Sequence, residues 1–199
     1  MNKIEQIELS IKLAEEGKSK CPPEVLSIEG MSSHKTRHFL NNLSKTNYLE
    51  IGIWKGSTFV AANYGNDNYA VGIDNFSEFA NPMNDLHRNL QLLKNKYQFI
   101  QSDCFEVDIS KFPLFDVYFY DGCHDEEAQY KGMQYYNPVL ANEFILIVDD
   151  WNWDYVRNGT RRAISDLKWN IVKEWELYAR WNQDTENWWN GLFVGLVTK

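Results

Sequence analysis

The chain has 199 residues, 44% of them hydrophobic and 24% charged, with a formal net charge of −8. That length suits one domain with a sizeable core, and the acidic balance argues against non-specific nucleic-acid binding, which runs on basic patches. No apolar run is long enough to span a bilayer, the longest candidate being Phe144 to Val148.

In chain order, Ile4, Ile7, Ile11 and Leu13 fall at helical spacing, and Gly17 stops that helix. Cys21-Pro22-Pro23 is a break. A second helix is expected from the cap residues Ser32 and Ser33 to Leu43, with Phe39, Leu40 and Leu43 on one face. Strands and helices then alternate: strand Tyr48 to Ile51, helix Ser57 to Tyr64, strand Tyr69 to Ile73, helix Met83 to Lys94, strand Tyr97 to Gln101. Strand Phe115 to Tyr120, helix Glu126 to Tyr136, strand Phe144 to Val148 and helix Thr160 to Leu167 follow. Two late strands, Ile171 to Tyr178 and Leu192 to Val197, have no room for a helix between them, so an antiparallel hairpin is expected. The reading is a Rossmann-like α/β sandwich of three layers, in one domain over residues 1–199. Residues 1–45 form a helical lead-in, and residues 46–199 carry a seven-stranded, mostly parallel sheet.

Two features carry chemistry. The first is the turn after the first strand, Glu50-Ile51-Gly52-Ile53-Trp54-Lys55-Gly56-Ser57. Glycines let a ligand approach the backbone closely, and the first helical N–H groups remain free to donate. This turn lacks the third glycine of the dinucleotide fingerprint, and no Gly-Lys-Ser/Thr follows as in a P-loop. The second feature is an acid after nearly every parallel strand: Asp74, Asp103, Asp121 and Asp149. Ligands bind outside the carboxyl ends of such strands, so these acids converge on one crevice. A helix N-cap explains any single one equally well, but capping does not readily account for the pair Asp149-Asp150.

Glu50 and Gly52, with the acids after strands two, three and four, resemble the class I S-adenosylmethionine-dependent O-methyltransferases. Within that class the chain is similar to methyltransferase family 24. The run Phe115 to His124, closing in Asp121-Gly122-Cys123-His124, resembles that family's strand-four motif, and Ile145 to Asp150 its strand-five motif. The resemblance covers about Tyr48 to Asp150. It departs from the family pattern at Ala141-Asn142-Glu143, where a glycine pair is usual, and at Trp54, where a middle glycine is usual.

The resemblance implies that Glu50, Gly52, Gly56 and Ser57 hold the amino-acid portion of S-adenosylmethionine. Asp74 would accept hydrogen bonds from the ribose hydroxyls. Ser102, Asp103 and Cys104 would flank the adenine, with Asp121 also at the cofactor. Asp121, Asp149 and Asp150 are the expected ligands of a divalent cation, Mg²⁺ or Mn²⁺, and their placement is similar to the metal triad of catechol and sugar O-methyltransferases. His124 stands where the catechol enzymes carry a base, and is expected with Asp121 to serve catalysis.

The expected acceptor is a small molecule bearing a hydroxyl, for which a sugar is one candidate. Trp151, Asn152, Trp153, Trp181, Trp188 and Trp189 are candidates for its pocket, and the surplus tryptophans also suggest a homodimer interface. His34 and His38 belong to a solvated helix face and take no role. Neither nucleic acid nor membrane is an expected partner. Cys21, Cys104 and Cys123 are few, odd in number and not at metal spacing, and the N-terminus lacks an apolar signal core, so a cytoplasmic location is expected. Two other readings stay open: an NAD-type oxidoreductase, disfavoured by the missing glycine, and a catalytically silent cofactor-binding module.

Overall fold

The computed structural model describes residues 1–43 and 46–199, so the expected junction at 45/46 lies partly outside the described residues. Helix α1 (Lys3–Glu15) opens on a capping box: the Asn2 side chain accepts from the Glu5 N–H, and the Glu5 carboxylate accepts from the Asn2 N–H. The Pro22-Pro23 break becomes a short helix, α2 (Pro23–Leu26), because proline in the first turn sacrifices no hydrogen bond. Ser33 caps α3 (His34–Leu43), its Oγ accepting from the Thr36 N–H at 3.1 Å. His38 is not on a solvated face; it is buried, with Nδ1 2.7 Å from Ser19 Oγ.

The alternating part comprises β1 (Tyr48–Ile51), α4 (Ser57–Asn63), β2 (Tyr69–Asp74), α5 (Met83–Leu90), β3 (Lys96–Gln101), β4 (Phe115–Tyr120), α6 (Glu126–Tyr136), β5 (Leu140–Asp149), α7 (Asp154–Asp166), β6 (Asn170–Leu177) and β7 (Leu192–Thr198). Strand order is β3-β2-β1-β4-β5-β7-β6. The first five strands pair in parallel, and β7 runs antiparallel to both β5 and β6. This is the expected Rossmann-like architecture. Three boundaries differ by four residues or more, the first being the end of α5, at Leu90 rather than Lys94. Strand β5 starts at Leu140 and takes in Ala141-Asn142-Glu143, because Leu140 pairs with Phe115 and Glu143 with Thr198. Helix α7 starts at Asp154 rather than Thr160, because packing against α6 overrides the turn signal of Asn158-Gly159.

Helices cover both sheet faces, which is why the central strands read as unbroken apolar runs. Successive side chains still alternate. Val117 and Phe119 of β4 join the cluster under α1, α3 and α4, while Tyr118 and Tyr120 join the cluster under α6 and α7. The tryptophans of the tail are divided: Trp188 is buried against Phe39 of α3, while Trp181 is exposed.

Candidate active site

The chain leaves β1 for β2 on one side and β4 lies on the other, so the strand order reverses between β1 and β4. A crevice opens at the carboxyl ends of strands flanking such a point. The two strands meet closely there: the Asp121 N–H donates to the Ile51 carbonyl at 2.9 Å. Gly52 has φ +86°, and a Cβ at that position would lie 1.8 Å from the Asp121 carbonyl oxygen. A side chain is excluded both by backbone conformation and by space. The resulting cleft has a volume of about 530 Å³.

The cleft collects residues from every strand end the sequence singled out. Gly52, Ser57, Asp74, Ser102, Asp103, Cys104, Asp121, His124, Asp149 and Asp150 all line it. Asp74 is held by two backbone donors, the Trp54 N–H to Oδ2 and the Phe76 N–H to Oδ1, each at 2.7 Å. Each oxygen keeps further acceptor capacity. Asp103 accepts from the Phe105 N–H, closing the turn that carries Cys104. Burial and the Asp103 charge push the Cys104 thiol up to about 12, so it is an unreactive wall residue.

Glu50 and Gly56 are not on the cleft surface. Glu50 is fully buried, its carboxyl group accepting from Thr58 Oγ1 and the Tyr48 hydroxyl, each at 2.5 Å. Burial raises its pKa to about 8 against these two hydrogen bonds. The carboxyl therefore braces the β1–α4 turn from behind.

Asp121, His124 and Asp150 bring potential ligand atoms within 4.8 Å of one another. His124 Nε2 lies 2.6 Å from Asp150 Oδ2 and 3.9 Å from Asp121 Oδ1. The shorter contact is an ion pair, with the N–H poorly aligned for a hydrogen bond. The grouping differs from the expected three carboxylates: His124 enters the cluster, and Asp149 stands beside it. The reason is local. Asp150 has φ +56°, which turns the chain so that its carboxylate reaches His124 on one side and the Asn190 amide, at 2.6 Å, on the other. Asp149 Oδ1 is buried with no hydrogen-bond partner among the described residues.

Burial and the charges of Asp121 and Asp150 hold the Asp149 carboxyl well above the usual range. Burial likewise pushes Asp121 up to about 7, with the Asp150 charge adding to it against the pull of His124. Burial opposes a charge on His124, but pairing with Asp121 and Asp150 outweighs it and raises the imidazole to about 10. Carboxylates crowded in this way, with one oxygen unpartnered, suit a hard divalent cation, and a set of carboxylate and imidazole donors fits such an ion.

The opposite wall comes from residues 178–191, which connect β6 and β7. Strand β6 runs parallel to β5, both being antiparallel to β7, so it ends at the same sheet edge as the acids. The connection is firmly built: Arg180 pairs with buried Asp184 at 2.8 and 2.9 Å, Asp184 bridges to Trp189, and the Gln183 N–H donates to Asn190 Oδ1. Asn182, Gln183, Trp189 and Asn190 line the cleft, as does Trp153, whose ring meets His124 edge-on at 5.2 Å. Trp153 and Trp189 therefore face the site. Trp151 is buried beneath Phe193, and Asn152 spends its amide on the Ala179 backbone. At the far end, Trp54 packs on Phe79 at 5.6 Å, closing the cleft where the family pattern has a glycine. Phe76, Phe79, Met31 and the three amide residues 182, 183 and 190 were not singled out by sequence reasoning. Only the excess of turn formers around 182–190 signals a built loop there.

A family model described as a methyltransferase domain matches residues 49–151. Solved structures of similar fold include an O-methyltransferase from Bacillus cereus in complex with SAH (TM-score 0.60, 14% identity, 98% of this chain and 91% of that one covered). Another is the O-methyltransferase TomG from Streptomyces achromogenes, involved in tomaymycin synthesis, in complex with SAM (0.57, 15%, 96% and 90%). A third is the SAH-bound methyltransferase PaMTH1 from Podospora anserina (0.56, 12%, 99% and 88%). At these identities the likeness speaks for the fold alone. No curated protein sequence matches the chain significantly.

Proposed function

The chain belongs to methyltransferase family 24, matched over residues 49–151, and from that premise we propose that it transfers a methyl group from S-adenosylmethionine to a hydroxyl of a small molecule. The observation that carries this reading is one cleft holding both halves of the chemistry. A glycine turn and an oriented Asp74 line it, and so does a proton-handling cluster of Asp121, His124 and Asp150. The sulfonium supplies its own activation, so the protein has to align the two reactants and make the acceptor nucleophilic.

Asp74 would hold the ribose hydroxyls, with Ser102 and Cys104 beside the adenine. Asp121, Asp150 and His124, with Asp149 adjoining, would hold Mg²⁺ or Mn²⁺, which supplies a Lewis acid that lowers the pKa of a hydroxyl. With the cluster as it stands, His124 is cationic and paired with Asp150, so it cannot accept a proton until that carboxylate's charge is otherwise satisfied. In the cation-free cluster Asp121 is pushed up to about 7, a proton affinity suited to a base near neutral pH that a bound cation would lower. Trp153 offers an apolar face and Asn182 and Gln183 a polar edge, a pairing that suits the ring and hydroxyls of a sugar. A homodimer through the hairpin would have to cover Val172, Tyr178 and Trp181, the exposed large hydrophobic residues on or beside β6, since Trp188 is already used within the chain. Three cysteines without disulfides suit a reducing cytoplasm, and among the described residues no helix is long and apolar enough to cross a membrane.

The test is transfer of labelled methyl from S-adenosylmethionine across a panel of uncharged sugar and phenol acceptors. Turnover that chelator abolishes and Mg²⁺ or Mn²⁺ restores is the expected result. Binding of the donor with no transfer to any acceptor would favour the silent module, and full turnover in chelator would remove the cation.

A further inference from the structure

Arg37 is 3% exposed, and its entire guanidinium is spent on one short segment. Nε donates to Ser32 Oγ at 3.0 Å, and Nη1 to the carbonyls of Leu26 and Ile28 at 2.6 Å each. Nη2 lies 3.5 and 3.4 Å from the carbonyls of Gly30 and Ser32. Every one of these acceptors is neutral. Among the described residues Arg37 forms no ion pair with a carboxylate, although a buried charge is ordinarily paired. Burial lowers its pKa only to about 10, so it stays cationic at neutral pH.

The segment that Arg37 holds leans on the cleft. A Cβ on Gly30 would fall 1.9 Å from Ser57 Oγ and 3.3 Å from Arg37 Nη2, so guanidinium, Gly30 and Ser57 are stacked in close succession. Ser57 and Met31 line the cleft. The cleft walls carry Asp74, Glu78, Asp103, Asp121, Asp149 and Asp150 and no lysine or arginine, and the charge of His124 there is taken up by Asp150 at 2.6 Å. A methyl donor with an amino-acid tail must therefore bring its α-carboxylate into an acidic cleft whose wall offers no lysine or arginine.

We infer that Arg37, from behind the Leu26–Ser33 segment, supplies the positive potential that accommodates the donor's α-carboxylate, and that it positions that segment to receive it. A trans peptide directs its N–H opposite its C=O. Holding the Gly30 carbonyl toward Arg37 thus turns the Met31 N–H the other way, and that N–H has no hydrogen-bond partner among the described residues. Arg37 is a positioning residue, acting through the segment rather than by touching the donor. The inference rests on the methyltransferase reading above.

Calorimetry with three ligands tests it: S-adenosylhomocysteine, its α-carboxamide, and 5′-methylthioadenosine, which lacks the amino-acid tail. The wild type is expected to prefer S-adenosylhomocysteine over the carboxamide by about 10-fold or more, the scale of hydrogen bonds to a charged group. Arg37→Met should lose about that factor for S-adenosylhomocysteine while binding methylthioadenosine within about twofold of wild type. A merely structural role would weaken both ligands alike, and that result overturns the proposal. Should Arg37→Met fail to fold, the wild type and the charge-keeping Arg37→Lys decide: equal affinity for S-adenosylhomocysteine and its carboxamide in both would show that the carboxylate's charge is not read. A wild type that binds none of the three would instead sink the methyltransferase reading itself.

Discussion

Glu50 and Asp150 show what a residue's neighbours decide that its place in the sequence does not. Glu50 is the third residue of a four-residue strand, YLEI, that is buried throughout. Its place just before the glycine turn suggests a ligand contact, but only the folded sheet reveals that the side chain faces Thr58 and Tyr48 rather than the cleft. Asp149 and Asp150 look alike in sequence. The left-handed backbone at Asp150 separates them, sending one to His124 and Asn190 and leaving the other with an unpartnered oxygen. Aspartate tolerates that conformation better than most residues, but both acids do so equally, and the chain does not mark which one adopts it. Glu50 also carries a prediction. Its folded pKa of about 8 exceeds the ordinary carboxyl value of 4.5, so the folded protein retains a proton that the unfolded chain releases. Its contribution to stability is fully present below pH 4.5 and is lost as pH rises through about 8. Glu50→Gln should flatten that part of the curve of urea midpoint against pH; an unchanged slope between pH 5 and 8 would contradict the assignment.

Elements were legible where periodicity is strong and obscure where packing overrides it. All seven strands could be read from apolar runs between turn signals. The early start of α7 could not, because Asn158-Gly159 signals a turn that contact with α6 overrides. The connection 178–191 was visible as a hairpin region rich in tryptophan, yet its side of the sheet follows only from strand directions. Its anchorage depends on Trp188, 3% exposed and edge-on to Phe39 at 6.2 Å, with the Lys35 ammonium 5.5 Å from its ring. Trp188→Ala should destabilise the fold by about 3–5 kcal/mol, as for other large aromatic truncations in cores. Denaturant unfolding checks this, and a loss under about 1 kcal/mol would mean that the loop is held by its polar contacts instead.

At the scale of the whole molecule, strand order places the site and charge selects what enters it. The reversal between β1 and β4 gathers acids from separate strands into one cleft, a convergence the sequence announces through their spacing. The cluster's membership is not announced, because it depends on loop geometry after β4 and β5. A net charge of −8 and walls without lysine or arginine make the cleft a poor host for an acceptor bearing phosphate or carboxylate remote from the cation that would hold its reacting hydroxyl. Such an acceptor should show kcat/KM about 10-fold or more below that of its uncharged counterpart at low salt, a gap that narrows as salt screens the field. Equal rates at low salt would contradict this.

Asp74 ties these scales together, since two backbone donors fix a carboxylate on the cleft wall, where we propose that it holds the donor's ribose. The most direct measurement is the affinity of S-adenosylhomocysteine for the wild type and for Asp74→Ala. One-site binding weakened about 10- to 150-fold in the variant, the worth of hydrogen bonds to an ionised acceptor, is the predicted result. No binding to the wild type, or equal affinity in the two proteins, would contradict the account.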